Sequence, residues 1–505
     1  MLRQQLWSTW DHIVSKVMSS SNLLERQHLF FGYHHQARYP IMIPRKLLFE
    51  HMWIQGPTGS GKTSRGLLPL LTQIIRRREN GLVILDLKGD MAMMMTAKTE
   101  AEQAGLAFKF FTHEIGRASY VFNPLSQINS PAVSEAEVVE TLLTATGLDY
   151  GIGFGESFFS GRIRTTVIQA LERCPQASTL RDLYGVMQGR DFFRSDTERD
   201  QAVAALDLFR QLAQVEAMNF TGEGKPSRIV DHGIVMKDVI EKNEVAYFWL
   251  PALGATSTVR AISNLALYAL LTGSKEHLAA TGLKKQSLIV IDEWQRMASP
   301  AFELVLQQAR SYGVGAILSN QTLNDLKLRD TPNLLEITWN NTAIRQFFSP
   351  ADPGLEELLI KQSGETAYFT NVSYEQPYST DHGGLPFMRV GPRYTLNDLK
   401  GFSSDTKLSV LQVPRDSGFA TFGGQWFVLE SPFHLTEDEY NQRLSVPWPD
   451  SNMHTLTARR GGTAPSIAIP DSDQELVATE TPVVAISEFG NRLEEIYARR
   501  CGGLQ

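Results

Sequence analysis

The sequence predicts an α/β fold with a mainly parallel sheet, plus an inserted all-helical domain. Three observations predict it. Seven short apolar runs, several of them separated by helical stretches, give the pattern of a parallel sheet. The first run opens into a glycine-rich loop followed by a helix. Between about Gly151 and Asp231 helical patterns dominate and no confident strand is read.

Taken in order, residues 1–40 form an N-terminal helical segment. Leu6, Trp10, Ile13, Val14 and Val17 recur at helical spacing. Such a stripe packs on its own domain or a neighbouring subunit. The alternative is a membrane-surface helix, which the scarcity of flanking lysines and arginines disfavours. The α/β domain occupies 41–150 and 232–446. Its runs are "HMWIQ" (His51–Gln55), "GLVILDLKGD" (Gly81–Asp90), "AFKFFT" (Ala107–Thr112), "EVAYFWLP" (Glu244–Pro251), "SLIVIDE" (Ser287–Glu293), "GAILSNQ" (Gly315–Gln321) and "AIRQFF" (Ala343–Phe348). Several end in polar residues, as central parallel strands do at the ligand-facing end. The inserted domain, 151–231, holds an expected capping box, Thr179 with Asp182, and one amphipathic helix over Thr197–Val215. Residues 447–505 are a linker poor in large apolar groups, then a short amphipathic helix bearing Phe489, Leu493, Ile496 and Tyr497. That helix is marginal alone and either frays or docks.

Composition sets bounds. With 505 residues, 42% hydrophobic and 20% charged, the chain is ordinary globular protein of two or three domains. A net charge of −7 does not advertise nucleic-acid binding, so any such contact is a local patch or a ring lumen. Cys174 and Cys501 lie far apart, which suits a reducing compartment and no disulfide framework. No apolar run reaches the about 20 residues of a spanning helix, and no secretory leader pattern is read.

"GPTGSGKT" fits the phosphate-binding loop. Its residues Gly56, Pro57, Thr58, Gly59, Ser60, Gly61, Lys62, Thr63 and Ser64 are the expected nucleotide-binding set. The glycines let backbone N–H groups turn inward toward an anion. Lys62 supplies charge to the outer phosphates, and the Thr63 hydroxyl is placed for Mg²⁺. The following helix favours the phosphate with its N-terminus. The loop alone does not choose among kinase, GTPase and motor. "LIVIDEW" adds Asp292 and Glu293 at the end of a buried strand. Asp292 is expected to hold Mg²⁺, and Glu293 to polarise the attacking water. The adjacent acids point to ATP hydrolysis rather than phosphoryl transfer to a small molecule. Asn320 and Gln321 end the next strand. Such an amide either senses the γ-phosphate or caps the strand.

"GPTGSGKT", "VILDLKGD", "FNPL" (Phe122–Leu125), "IDEW" and "ARSYGVGAILSNQTLNDL" (Ala309–Leu326) stand in the order used by type IV secretion coupling proteins. The chain resembles the conjugative TraD/TraG group of the FtsK–HerA superfamily from about Ile41 to Leu429. The resemblance implies a RecA-like ATPase core and an all-alpha domain in the insertion. It implies ATP and Mg²⁺ as cofactors, and a hexameric ring that couples or translocates DNA. The implied partners are single- or double-stranded DNA, a relaxase or other DNA-processing protein, and secretion-channel components. It gives Glu293 and Gln321 hydrolytic and sensor roles. It also suggests an arginine acting in a neighbouring subunit's site, with Arg345 preferred and Arg310 the competitor. Two features depart from the family: Leu87 stands where a proline is usual, and no transmembrane helix is read. The latter implies a bacterial cytoplasmic protein, peripheral at the inner membrane through a partner. A cytoplasmic segregation or defence translocase, a protein-export ATPase and a nucleotide-gated adaptor are the alternatives.

Overall fold

All seven apolar runs lie in one sheet. The computed structural model describes residues 2–449, apart from 130–132, 149–155, 221–228, 231–232, 253–255, 298–301, 328–333, 374–383, 415–423 and residues 351 and 404. In chain order the strands are β1 (His28–His34), β2 (Pro40–Pro44), β3 (Met52–Gln55), β4 (Gly81–Asp86), β5 (Phe108–Thr112), β6 (Ser119–Tyr120), β7 (Ile229–Val230) and β8 (Val245–Trp249). They continue as β9 (Ser287–Asp292), β10 (Val314–Asn320), β11 (Ile344–Phe348), β12 (Glu365–Ser373), β13 (Gly384–Pro392), β14 (Leu408–Gln412) and β15 (Trp426–Glu430). Eleven of them form the sheet β2-β1-β15-β14-β11-β3-β10-β9-β4-β8-β5. From β11 to β5 every pairing is parallel. From β2 to β11 every pairing is antiparallel.

The parallel half is buried on both faces, which is why its strands read as continuous apolar runs. Leu288, Ile289, Val290 and Ile291 of β9 are all buried, each contributing roughly 1.5–3 kcal/mol. The helix after the phosphate loop starts later than its periodicity suggests. Lys62–Leu67 is a π-turn with Leu68 N–H donating to the Thr63 carbonyl, and the α-helix proper is Leu68–Arg77. Pro69 accounts for the break, because it has no N–H to return to the preceding turn.

The chain leaves the sheet after β5 and returns at β8. The two-residue strands β6 and β7 pair in parallel at that neck, a strand pairing missing from the expectation of helices alone. Helical structure begins at Pro124, earlier than the boundary at Gly151. The Thr179–Asp182 capping box is present. The expected Thr197–Val215 helix is split at Ala202 into Asp196–Gln201 and Val203–Gln214, with Ala202, Leu206, Phe209 and Leu212 buried.

The N-terminal helix Leu2–Met18 lies on the body. Trp10 and Val14 are buried with Phe30 of β1, and Arg76 stacks 5.7 Å over Trp10 while pairing with Asp11 and Glu100. At the other end Trp448, expected to open the linker, instead packs edge-on to Phe110 and Trp249 and donates Nε1–H to the Ala118 carbonyl. The expected helix at Phe489–Tyr497 lies outside the described residues. Among those described, no helix is long and apolar enough to cross a membrane.

Candidate nucleotide site

The carboxyl ends of β3, β9 and β10 converge, and four of the sequence-expected side chains meet there. Lys62 is 6% exposed, with its ammonium 3.2 Å from Glu293 Oε1 and 3.6 Å from Asp292 Oδ1. Gln321 Nε2 donates to the same Glu293 oxygen at 2.9 Å, and Thr58 Oγ1 donates to Gln321 Oε1 at 3.1 Å. The amide thus bridges the phosphate loop and the acid pair. Glu293 sits in the left-handed region with φ 58°, uncommon for a residue with a Cβ and typical of sites where a side chain is aimed at cost. Burial would raise its carboxyl. Lys62, Gln321 and Gln295 outweigh that and hold it below the usual range.

The loop is shaped as its glycines predict. Gly59 and Gly61 have φ 81° and 87°. At Gly56 a Cβ would fall 2.6 Å from Ser60 Oγ and 2.8 Å from Phe348 Cβ, so only glycine fits. Gly56 N–H donates to the Asn320 carbonyl, tying the loop to β10. Thr63 and Ser64 follow Lys62 at the start of the π-turn, and Pro57 is half-buried beside the exposed Thr58 and Gly59.

Asn320 and Gln321 separate in role. Asn320 is fully buried, accepts from Trp53 Nε1 at 2.6 Å and donates to the Thr322 carbonyl. It is a strand-end anchor, and only Gln321 faces the acids. Asp292 fits a hydrated divalent cation. Its Oδ1 accepts from Ser319 Oγ at 2.7 Å, while Oδ2 is buried with no protein partner. Thr63 and Asp292 are the residues that would hold Mg²⁺.

Arg345 lies away from this site within its own chain, as a residue acting on a neighbour's site also would. It lies near the amino end of β11, in register with Trp53. Its guanidinium donates to Gln412 Oε1 and the Trp339 carbonyl and stacks 4.3 Å over Trp339. Arg310 has a 63% exposed side chain, with one long contact of 3.8 Å to Glu50. It lines a cleft of about 510 Å³ with Arg45, Lys46, Lys284 and Lys285, at the amino end of the parallel strands.

Sequence reading missed four groups. Gln295 Nε2 donates to Glu293 Oε2 at 2.8 Å, and Ser319 orients Asp292. Asp86 lies level with Asp292 across the β4–β9 pair. It accepts from three backbone N–H groups, of Lys88, Gly89 and Asp90, and from the Tyr247 hydroxyl. Burial, then the Asp292 charge, pushes its carboxyl up to about 6. Leu87, at the departure from the family pattern, is buried, and its carbonyl accepts from Arg296. The fourth group is Arg65, whose guanidinium lies under the loop. Its signal was weak, since an arginine after a phosphate loop reads as a solvated helix residue.

Two family models match the chain, together covering well over half of it. One, type IV secretory system conjugative DNA transfer, matches residues 10–222, and the other, the TraM recognition site of TraD and TraG, matches residues 286–389. No curated protein matches. Among solved structures, the chain is similar to the bacterial conjugative coupling protein TrwBΔN70 in its unbound monoclinic form. The TM-score is 0.56 at 12% identity, covering 85% of this chain and 92% of that one. TrwB in complex with ADP and Mg²⁺ gives 0.55 at 12%, covering 84% and 92%. VirB4 of Thermoanaerobacter pseudethanolicus gives 0.50 at 11%, covering 83% and 100%. At these identities the structural likeness speaks for the fold, and the two family models speak for the lineage. The chain belongs to the type IV secretion coupling protein family, the TraD/TraG group of conjugative DNA transfer.

Proposed function

We propose that this chain is an Mg²⁺-dependent ATPase that works as a ring, assembled from six copies, to couple or move DNA into a type IV secretion channel. The observation that carries it is the convergence of Lys62, Asp292, Glu293 and Gln321 at one end of the sheet. Lys62 neutralises the outer phosphates. Mg²⁺, held by Thr63 and Asp292, supplies charge to the phosphate oxygens when bound. Glu293 takes the proton of the attacking water, and a carboxylate held low by its donors is ionised for that task. Gln321 and Gln295 fix its two oxygens. Nucleotide phosphates replace Glu293 as the partner of the Lys62 ammonium, which frees the carboxylate to act.

The same reading assigns Arg310 to the neighbouring subunit's site. Developing charge on the γ-phosphate calls for a mobile cation delivered in trans. Arg310 is exposed, at the end of the sheet opposite its own phosphate loop. Cargo is DNA with a relaxase or other processing protein, consistent with the conjugative DNA transfer family. The net charge of −7 confines DNA to a local surface or a ring lumen. Purified chain assayed for ATP hydrolysis with Mg²⁺, with and without single- or double-stranded DNA, tests this. Hydrolysis should rise with DNA and vanish in Glu293→Gln. Hydrolysis indifferent to both DNA forms would move the reading to a protein-export or assembly ATPase.

A further inference from the structure

Two cations sit on the phosphate loop, and the chain treats them differently. Lys62 faces Glu293 and Asp292. Arg65, three residues on, is 2% exposed and has no acidic partner among the described residues. Its guanidinium lies 5.6 Å from the ring centroids of both Phe348 and Phe433. Nη2 donates to the Ser60 carbonyl, while Nε and Nη1 are buried without a partner. The contact with the loop is close: a Cβ on Gly61 would fall 2.2 Å from Arg65 Nε. Burial lowers the group to about 10, so it remains a cation at neutral pH.

A buried guanidinium with two unmet donors and no counter-ion is costly, and the aromatic rings offset only part of that. An apolar side chain of similar length would serve the empty fold better. The anion that comes within reach of this charge is whatever the loop holds, since the guanidinium lies directly beneath the loop's last glycine.

We propose that Arg65 is a binding residue for the nucleotide that acts by its charge: a counter-charge, held under the loop by the Ser60 carbonyl, that favours polyphosphate. The empty state carries the cost of the buried charge, and the bound state recovers it. This inference rests on the phosphate-loop reading above and adds a second buried cation to it.

The test uses the full chain, with Mg·ADP and Mg·ATP as probes, measuring both affinity and thermal unfolding without nucleotide. Arg65→Leu and Arg65→Met should bind both probes about tenfold more weakly or worse. Their unfolding temperatures without nucleotide should equal or exceed that of the wild type. Arg65→Lys, which keeps the charge, should recover most of the affinity. Wild-type affinity in Arg65→Leu would overturn the proposal. So would a nucleotide-free chain destabilised by more than about 4 °C in both apolar variants, because the arginine would then be a structural pin. Equal weakness in Arg65→Lys and Arg65→Leu would overturn it too, as shape rather than charge would matter. Lys62→Ala runs alongside. If even the wild type fails to bind either probe, the nucleotide-site reading itself falls, a different result from wild-type binding that Arg65 does not influence.

Discussion

The two ends of the parallel sheet handle charge in opposite ways. At the carboxyl end, Lys62, Glu293 and Gln321 pair with one another in a largely buried cluster beside Asp292. At the amino end, Arg310, Lys284 and Lys285 line an open cleft with Glu50 and Glu79, and among the described residues Arg310 makes one ion-pair contact, the long one to Glu50. On the proposed reading, the contrast shows how work is divided in a motor built from copies of one chain: the first end holds nearly all of a hydrolytic site, and the second offers cations to a neighbouring copy.

The largest effects should come from the self-contained end. Lys62→Ala should abolish tight nucleotide binding in a titration. Glu293→Gln keeps the shape, so it should bind nucleotide while turnover falls by about 10²-fold or more. If both variants hydrolyse ATP at the wild-type rate, the carboxyl end is not the site.

The next effect separates two arginines. Arg310→Ala should cut turnover by about 10²-fold or more and leave the unfolding temperature unchanged, since its side chain is largely exposed. Arg345→Ala should do the reverse. It removes a stacked, hydrogen-bonded group from β11, so thermal unfolding should drop by several degrees with turnover nearly intact at permissive temperature. An exchange of these phenotypes would restore Arg345 to the trans role.

Smaller again are the amides. Gln321→Ala and Gln295→Ala each remove one donor from Glu293 and should slow turnover by about tenfold without weakening binding. An unchanged rate in Gln295→Ala would make that contact incidental.

The smallest effect lies in stability against pH. Burial pushes His51 down to about 4 and His434 down to about 3. Their unfolded pKa is near 6.5, so between there and about 4 the unfolded chain binds more protons than the folded one. Stability is therefore full above about 6.5 and is lost as pH falls through that window. Unfolding temperatures measured from pH 7.5 to 5 should decline, and the decline should shrink in His51→Gln. His51 belongs to the amino end, where its ring nitrogens engage the Leu306 carbonyl and the Ala316 N–H.

The parallel half was legible because burial on both faces leaves unbroken apolar runs, and all seven were read. The antiparallel half was not. β2 is "PIMIP", bounded by prolines, and β14 and β15 are five-residue runs in polar surroundings that read as loop. The hairpin β12–β13 carries exposed Tyr368, Met388 and Val390, apolar residues that do not mark a buried face. In the site, residues fixed by motif spacing were readable: the loop, Asp292 with Glu293, and Gln321. Groups brought in by tertiary approach were not. Ser319 and Gln295 carry no spacing signal of their own. The position of Arg345 near the amino end of β11 was not readable, because a sequence shows a strand but not which end of it faces the nucleotide. Arg65 was missed because polar residues after a loop are assumed to face water.

Mixing two inactive variants tests the division between the ends most directly. Chains carrying Glu293→Gln and chains carrying Arg310→Ala are combined, and Mg²⁺-dependent ATP hydrolysis is followed across mixing ratios. If the site is shared, some interfaces pair an intact Glu293 with an intact Arg310, and hydrolysis should reappear with a maximum at intermediate ratios. A mixture no more active than its two components at every ratio would contradict the account, as would full activity of Arg310→Ala on its own.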